Sequence, residues 1–248
     1  METFKYKVAG SVFAAEPLFE RVLLQMKDYR VPGNTPVDFN VKTTPEDIEF
    51  ERLMVARVDE AEGNEVTSYP DDYLETIAFL RAVSLNLLDR GAVLIHGSAV
   101  AVDGMGYIFT AKSGTGKSTH ARLWRELLGE RAVMVNDDKP FLRFGEKITC
   151  CGSPWQGKHN LGNNIEVPLK AICVIEQGER DHIRKVDFSE VMNVLLQQVY
   201  IPSNTPETAS KALELSDRLF SETEIYKLSA TMDISAAKLS FGTMSNKI

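Results

Sequence analysis

Nine consecutive residues, AKSGTGKST at 111–119, carry the spacing most specific to a chemistry: a small residue, four positions, then Gly116, Lys117 and Ser118. This is the phosphate-loop pattern, with Ala111 where glycine is commoner. Gly114 and Gly116 can take backbone angles closed to other residues, which turns successive N–H groups inward around phosphate oxygens. Lys117 sets a point charge on the β- and γ-phosphates, and Ser118 offers a hydroxyl to Mg²⁺. A helix starting there aims its positive end at the anion. The expected nucleotide contacts are Ser113, Gly114, Thr115, Gly116, Lys117, Ser118 and Thr119, and the expected cofactors are ATP and Mg²⁺. No base-reading motif separates ATP from GTP.

Twenty residues past Lys117 stands Asn136-Asp137-Asp138. Carboxylates at the carboxyl end of a strand beside a phosphate loop can hold Mg²⁺ and take a proton from an attacking hydroxyl. Asp137 and Asp138 are therefore expected metal and catalytic residues, with either one as the base. His96, in the segment His96-Gly97-Ser98, is a further catalytic or phosphate-contacting candidate, read against a purely structural role. The stretch GSPWQGKHNLGNN at 152–164 is a loop by its glycines and proline, and reads as an acceptor-recognition loop or lid. In it Trp155, Lys158 and Asn160 are candidate acceptor contacts; the competing reading is a surface connection with Trp155 anchored in the core. His120 and Arg122 are expected to be solvated, with His120 near the nucleotide base or ribose as an alternative.

These residues need elements to hold them. AVLIHGSAVAV and MGYIFTA read as two strands joined at Asp103-Gly104, a strong hairpin signal. A two-residue turn there pairs Val102 with Met105, so that partners sum to 207 and His96 falls opposite Ala111; a turn longer by two residues puts Ser98 there instead, and either register brings the HGS segment to the loop. The second strand runs into the loop; Ala121, Trp124, Leu127 and Leu128 then share a helical face, Gly129 ends the helix, and AVMV is a buried strand. That is the strand–loop–helix–strand setting a phosphate loop requires. LKAICVIEQ and IYKLSA read as later strands, with helices over FSEVMNVLLQQVYIP and PETASKALELSDRLFSE and a short helical tail. Upstream, Tyr69-Pro70-Asp71-Asp72 opens a helix ended by Gly91. FKYKVAG and FERLMVARV read as β-like pieces. The expected organisation is a small β-rich lobe at 1–70 and an α/β, mixed-sheet catalytic domain at 71–248.

The balance of 28 basic against 35 acidic residues, with a pI near 5.3, provides no broad cationic surface for nucleic acid or an anionic membrane. The expected partners are a nucleotide and a small-molecule or peptide hydroxyl. Three cysteines supply neither a disulfide framework nor a CxxC metal spacing. With no signal-like or membrane-length apolar run, a cytoplasmic location is expected. A homo-oligomer is compatible with the sequence, which does not set the oligomeric state.

Taken together, IHGSAVAVDGMG, AKSGTGKST and VNDD resemble the HPr kinase/phosphorylase family, whose catalytic domain is related to phosphoenolpyruvate carboxykinase. The resemblance covers about residues 90–145. It implies a P-loop kinase fold of that type, nucleotide and Mg²⁺ ligands at Lys117 and Ser118, and a general base at Asp137 or Asp138 toward a serine-like hydroxyl. The family's RGLGI-like signature after the aspartates is replaced here by GSPWQGKHNLGNN. In this the chain is more similar to the shorter kinase-like relatives, some of which act on serine in a peptide or free in solution. The expectation is an ATP-dependent phosphotransferase to an alcohol. Two alternatives stay open: a nucleotide-binding regulatory module with little catalysis, and phosphorolysis of a phosphoserine-type substrate.

Overall fold

The structure, a computed structural model, describes residues 4–61, 63–112, 114–203 and 205–246. The chain is mixed α/β and divides into two units, Met1–Arg90 and Gly91–Ile248.

In the first unit, β1 (Phe4–Val8) and β2 (Ser11–Glu16) form an antiparallel hairpin across Ala9 and Gly10. Both turn residues have positive φ, as the tight primed turn demands. The short helix α1 (Glu20–Gln25) follows, and β3 (Phe39–Lys42) then adds parallel to β2. Two long helices, α2 (Pro45–Ala61) and α3 (Asp71–Leu88), complete the unit. It therefore holds more helix than strand, correcting the expected β-rich lobe. FERLMVARV lies inside α2, not in a strand. The helix-start signal just before it outweighs the β preference of its valines: the Thr44 amide donates to Asp47 Oδ2 at 3.0 Å, Pro45 takes the first helical position, and Glu46 and Asp47 face the helix N-terminus.

Helix α3 begins and ends where Pro70-Asp71-Asp72 and Gly91 indicate, yet it belongs to the first unit, so the division falls at 90/91 rather than 70/71. Glu75 explains this. Its carboxylate, wholly buried, accepts from the backbone N–H of Leu18 at 2.6 Å, that of Phe19 at 2.8 Å, and the Thr43 hydroxyl. A buried charge with three donors fixes the helix to the segments that supply them.

The second unit is built on nine strands. β4 (Ala92–Leu94), β5 (Ser98–Val102) and β6 (Met105–Thr110) lead into α4 (Lys117–Leu128). Next come β7 (Ala132–Asn136), β8 (Phe141–Phe144), β9 (Ile148–Cys151), the twelve-residue β10 (Glu166–Gln177) and β11 (His182–Lys185). Helices α5 (Phe188–Leu195) and α6 (Pro206–Glu222), strand β12 (Glu224–Ala230) and helix α7 (Ile234–Met244) close the chain.

The sheet order is β4-β8-β9-β10-β6-β5-β7, with β12 beside β10 and β11 beside β12. β10 is shared: Glu166–Pro168 pair antiparallel with β9, and Ala171–Gln177 pair parallel with β12. β5 and β6 hold the expected register, Val102 opposite Met105 and Ser98 opposite Phe109. β6 and β7 are both antiparallel to β5, which lies between them. The loop-bearing crossover therefore spans one interposed strand.

AVLIHGSAVAV is two strands rather than one, because the chain changes partners between them. The His96 amide donates to the Gln198 carbonyl at 2.7 Å, and that of Gly97 to the Asp138 carbonyl at 3.0 Å. A Cβ on Gly97 would stand 2.9 Å from Ile108 Cγ2 and 3.0 Å from the Phe109 carbonyl oxygen, so glycine is required at this crossing.

Under α4 the core is aromatic. Trp124, fully buried, packs against Tyr107, Phe109 and Phe241 with centroids 4.9–5.3 Å apart. This contact fixes the helix, and so its N-terminus, over the sheet.

Candidate functional site

The loop at 111–116 leaves the carboxyl end of β6, where strand ends of a parallel pair leave room for a ligand. Gly114 (φ 76°) and Gly116 (φ 114°) both take the left-handed region, as the inward turn of the amides requires. The Thr115 amide and hydroxyl donate to the Lys112 carbonyl at 3.3 and 2.8 Å, closing the turn. Lys117 Nζ donates to the Ala111 carbonyl at 3.2 Å, folding its ammonium back across the loop. Burial lowers the Lys117 pKa, and Asp138 opposes that shift. Ser118 is exposed and Thr119 half-buried on the first turn of α4. Ser113 lies outside the described residues.

Three further elements converge on this loop. Ser98, at the start of β5, is buried; its hydroxyl donates to the Asp137 carbonyl at 3.0 Å and stands 3.5 Å from the Ser118 hydroxyl. It thus joins the aspartate pair to the head of α4. Asn136 ends β7 fully buried, its Nδ2 donating to the carbonyls of Ser153 and Trp155, its Oδ1 accepting from the amides of Asp138 and Lys139. That side chain therefore sets the bend that presents both carboxylates.

Asp137, 6% exposed, accepts the Gly157 amide on Oδ1 at 2.7 Å, and its Oδ2 has no hydrogen-bond partner among the described residues. Asp138 pairs with Lys139, and its Oδ1 lies 3.2 Å from His96 Nε2. Burial lowers the His96 pKa. Asp138 offsets this in part, while Lys117 and Lys139 add to it. Desolvation thus favours the neutral ring.

The stretch 152–164 is a loop, as expected, laid along the edge of β7. The Asn163 amide donates to the Val135 carbonyl at 3.1 Å, its Nδ2 to the Met134 carbonyl at 2.8 Å, and Gly162 bridges Asn136. Lys158 and Asn160 are exposed on it, Asn160 with φ 48°. Trp155 requires a correction: its side chain is 5% exposed and meets Phe141 edge-on, so it anchors the loop in the core and offers an acceptor nothing.

His120 is corrected likewise. It is 2% exposed, its Nε2 is 2.9 Å from the Ser240 hydroxyl, and burial depresses its pKa to about 4. One face of α4 therefore meets the core, while Arg122 is exposed as expected. On the other face, Ser118, Arg122 and Arg125 line a cavity of about 420 Å³ with Asp137 and with His159 and Leu161 of the loop.

Sequence reasoning brought Ser98 to the loop as part of the HGS segment without giving it a role; the residues it missed are Asn136, Lys139 and Arg125. Asn136 and Lys139 stood within the NDDKP turn without a role of their own. Arg125 had a usable signal, lying seven residues past Ser118 on the same helical face.

No family model matches the chain, and no curated protein sequence matches it. Among solved structures it is similar to the Hpr(Ser) kinase/phosphatase from Coxiella burnetii, at 11% identity over 62% of this chain and 93% of that one, with a TM-score of 0.35. What the site can do follows from its own residues.

Proposed function

We propose that the second unit binds ATP on the loop 111–119 and transfers its γ-phosphoryl group to an alcohol. The carrying observation is convergence: a loop with both glycines in the left-handed region, a lysine folded over it, and an Asp137-Asp138 pair whose backbone, at the Asp137 carbonyl, is tied to the loop's Ser118 through Ser98. Loop amides and Lys117 would hold the phosphates and meet the charge that develops on them.

Ser118 Oγ and the Asp138 carboxylate are hard oxygen donors of the kind Mg²⁺ takes. Among the described residues no group of three or more His, Cys, Asp or Glu side chains could hold a metal. An ion here would thus share the nucleotide's oxygens, and it would neutralise phosphate charge when bound. Asp137 is assigned the base: it lines the cavity in which an acceptor hydroxyl would sit, and the Gly157 amide on Oδ1 keeps the carboxylate oriented. His96 and Lys139 hold Asp138 in place.

The test is a γ-labelled ATP transfer screen across free serine, polyols, nucleosides and serine-bearing peptides. Lys117→Ala and Asp137→Asn should each leave a folded protein with transfer reduced by about 10²-fold or more. Full transfer in both variants overturns the assignment.

A further inference from the structure

The cavity beside Asp137 is lined by two arginines of α4 to which the phosphotransfer reading gives no role. Ser118, Arg122 and Arg125 stand at i, i+4 and i+7, so three side chains of one helical face project into it. Along the helix axis the two arginines lie about 6 and about 10 Å beyond Ser118. Arg122 is paired with Glu126. Arg125, half-buried, has no hydrogen-bond or ion-pair partner for its guanidinium among the described residues, and His159 faces it from the loop. With Arg122 matched by Glu126, Arg125 is the cationic group of this cavity wall that no carboxylate among the described residues pairs with. A planar guanidinium left unpaired inside a cavity is shaped for a carboxylate or a phosphate.

We infer that the phosphoryl acceptor is itself an anion: a small hydroxy compound whose carboxylate or phosphate is held by Arg125, supported by Arg122, with its hydroxyl toward Asp137. This rests on the phosphotransfer reading and names the substrate class of that site. The arginines set orientation as well as affinity. Fixing the anionic end some way down α4 directs the other end of a short molecule to the aspartate, where proximity lowers the barrier.

The experiment measures binding, so it stands whether or not transfer is seen. Wild-type protein and Arg125→Ala, each with Mg²⁺ and a non-hydrolysable ATP analogue, are titrated calorimetrically with matched pairs: N-acetylserine and N-acetylserinamide, glycerate and glycerol, glycerol phosphate and glycerol. The expected result is that an anionic member binds where its neutral twin does not, and that Arg125→Ala weakens it about 10- to 100-fold, the worth of one or two charge-assisted hydrogen bonds. Arg125→Lys should recover part of the loss, and affinity for the ATP analogue should stay unchanged. Carboxylate against phosphate preference appears directly between the second and third pairs. Neutral twins binding as well as the anions, no dependence on Arg125, or loss of nucleotide affinity in Arg125→Ala would each overturn the inference. Failure of the phosphotransfer reading shows separately, as a wild-type protein that does not bind the nucleotide analogue.

Discussion

At the scale of single residues, the two aspartates are adjacent in sequence and unlike in surroundings. Asp137 is nearly enclosed, with a backbone N–H on one oxygen, whereas Asp138 sits between Lys139 and His96. The account assigns proton removal to the first and the metal side to the second. Asp137→Asn should lower kcat by about 10²-fold or more with nucleotide affinity preserved, while Asp138→Asn should chiefly weaken Mg²⁺-dependent nucleotide binding. The reverse pattern in a kcat and KM comparison would exchange the roles. Residue identity alone left this division open, because it is made by Gly157 and His96, which meet the pair only in the fold. The loop residues were legible because glycine and lysine at fixed spacing carry their own mechanism.

His120 supplies a pH prediction. An unfolded histidine titrates near 6.5, while burial holds the native ring to about 4 despite the opposing pull of Asp181. Above about pH 6.5 neither state binds the proton. Between about 6.5 and 4 the unfolded chain takes it and the native one does not, so stability falls with pH through that window, by roughly 3 kcal/mol in all. Below about 4 this loss saturates. His120→Gln should flatten that part of a stability-against-pH curve measured by denaturant unfolding. An unchanged slope would show that the ring does not control it.

At the scale of elements, α4 unites both roles of the second unit. Its Trp124 face binds it to the sheet and its opposite face lines the cavity, so helix position and site geometry are one property. Trp124→Ala should cost about 3–5 kcal/mol and lower transfer in the fraction that stays folded, read by thermal melts alongside assays. Gly97→Ala should distort the β4–β5 crossing that places His96, destabilising the unit by about 1–3 kcal/mol. The β5–β6 register and the extent of α4 were legible because turn and cap residues state them locally. The break within AVLIHGSAVAV was not, since it depends on carbonyls of Gln198 and Asp138 far along the chain.

At the scale of the whole molecule, the chain is two units, and the boundary at Arg90 follows from a buried carboxylate rather than from composition. Glu75→Ala should destabilise the first unit by about 3 kcal/mol or more, since it strands two backbone N–H groups and a hydroxyl in the interior. Fragments beginning at 71 should consequently carry α3 with its apolar face uncovered. The helical character of this unit was missed because FERLMVARV has strand-like composition, and its capping signal lies just outside that stretch. Among the described residues no helix is long and apolar enough to cross a membrane. The described cysteines are buried, and burial pushes the Cys151 thiol up to about 12, so none is poised as a nucleophile.

The most direct measurement is Mg²⁺-dependent ATP affinity, by equilibrium dialysis, for wild-type protein and for Lys117→Ala. The account predicts saturable binding by the wild type, weakened at least about tenfold by loss of the lysine with the melting temperature preserved. Absence of binding by the wild type, or equal affinity in the two proteins, would contradict it.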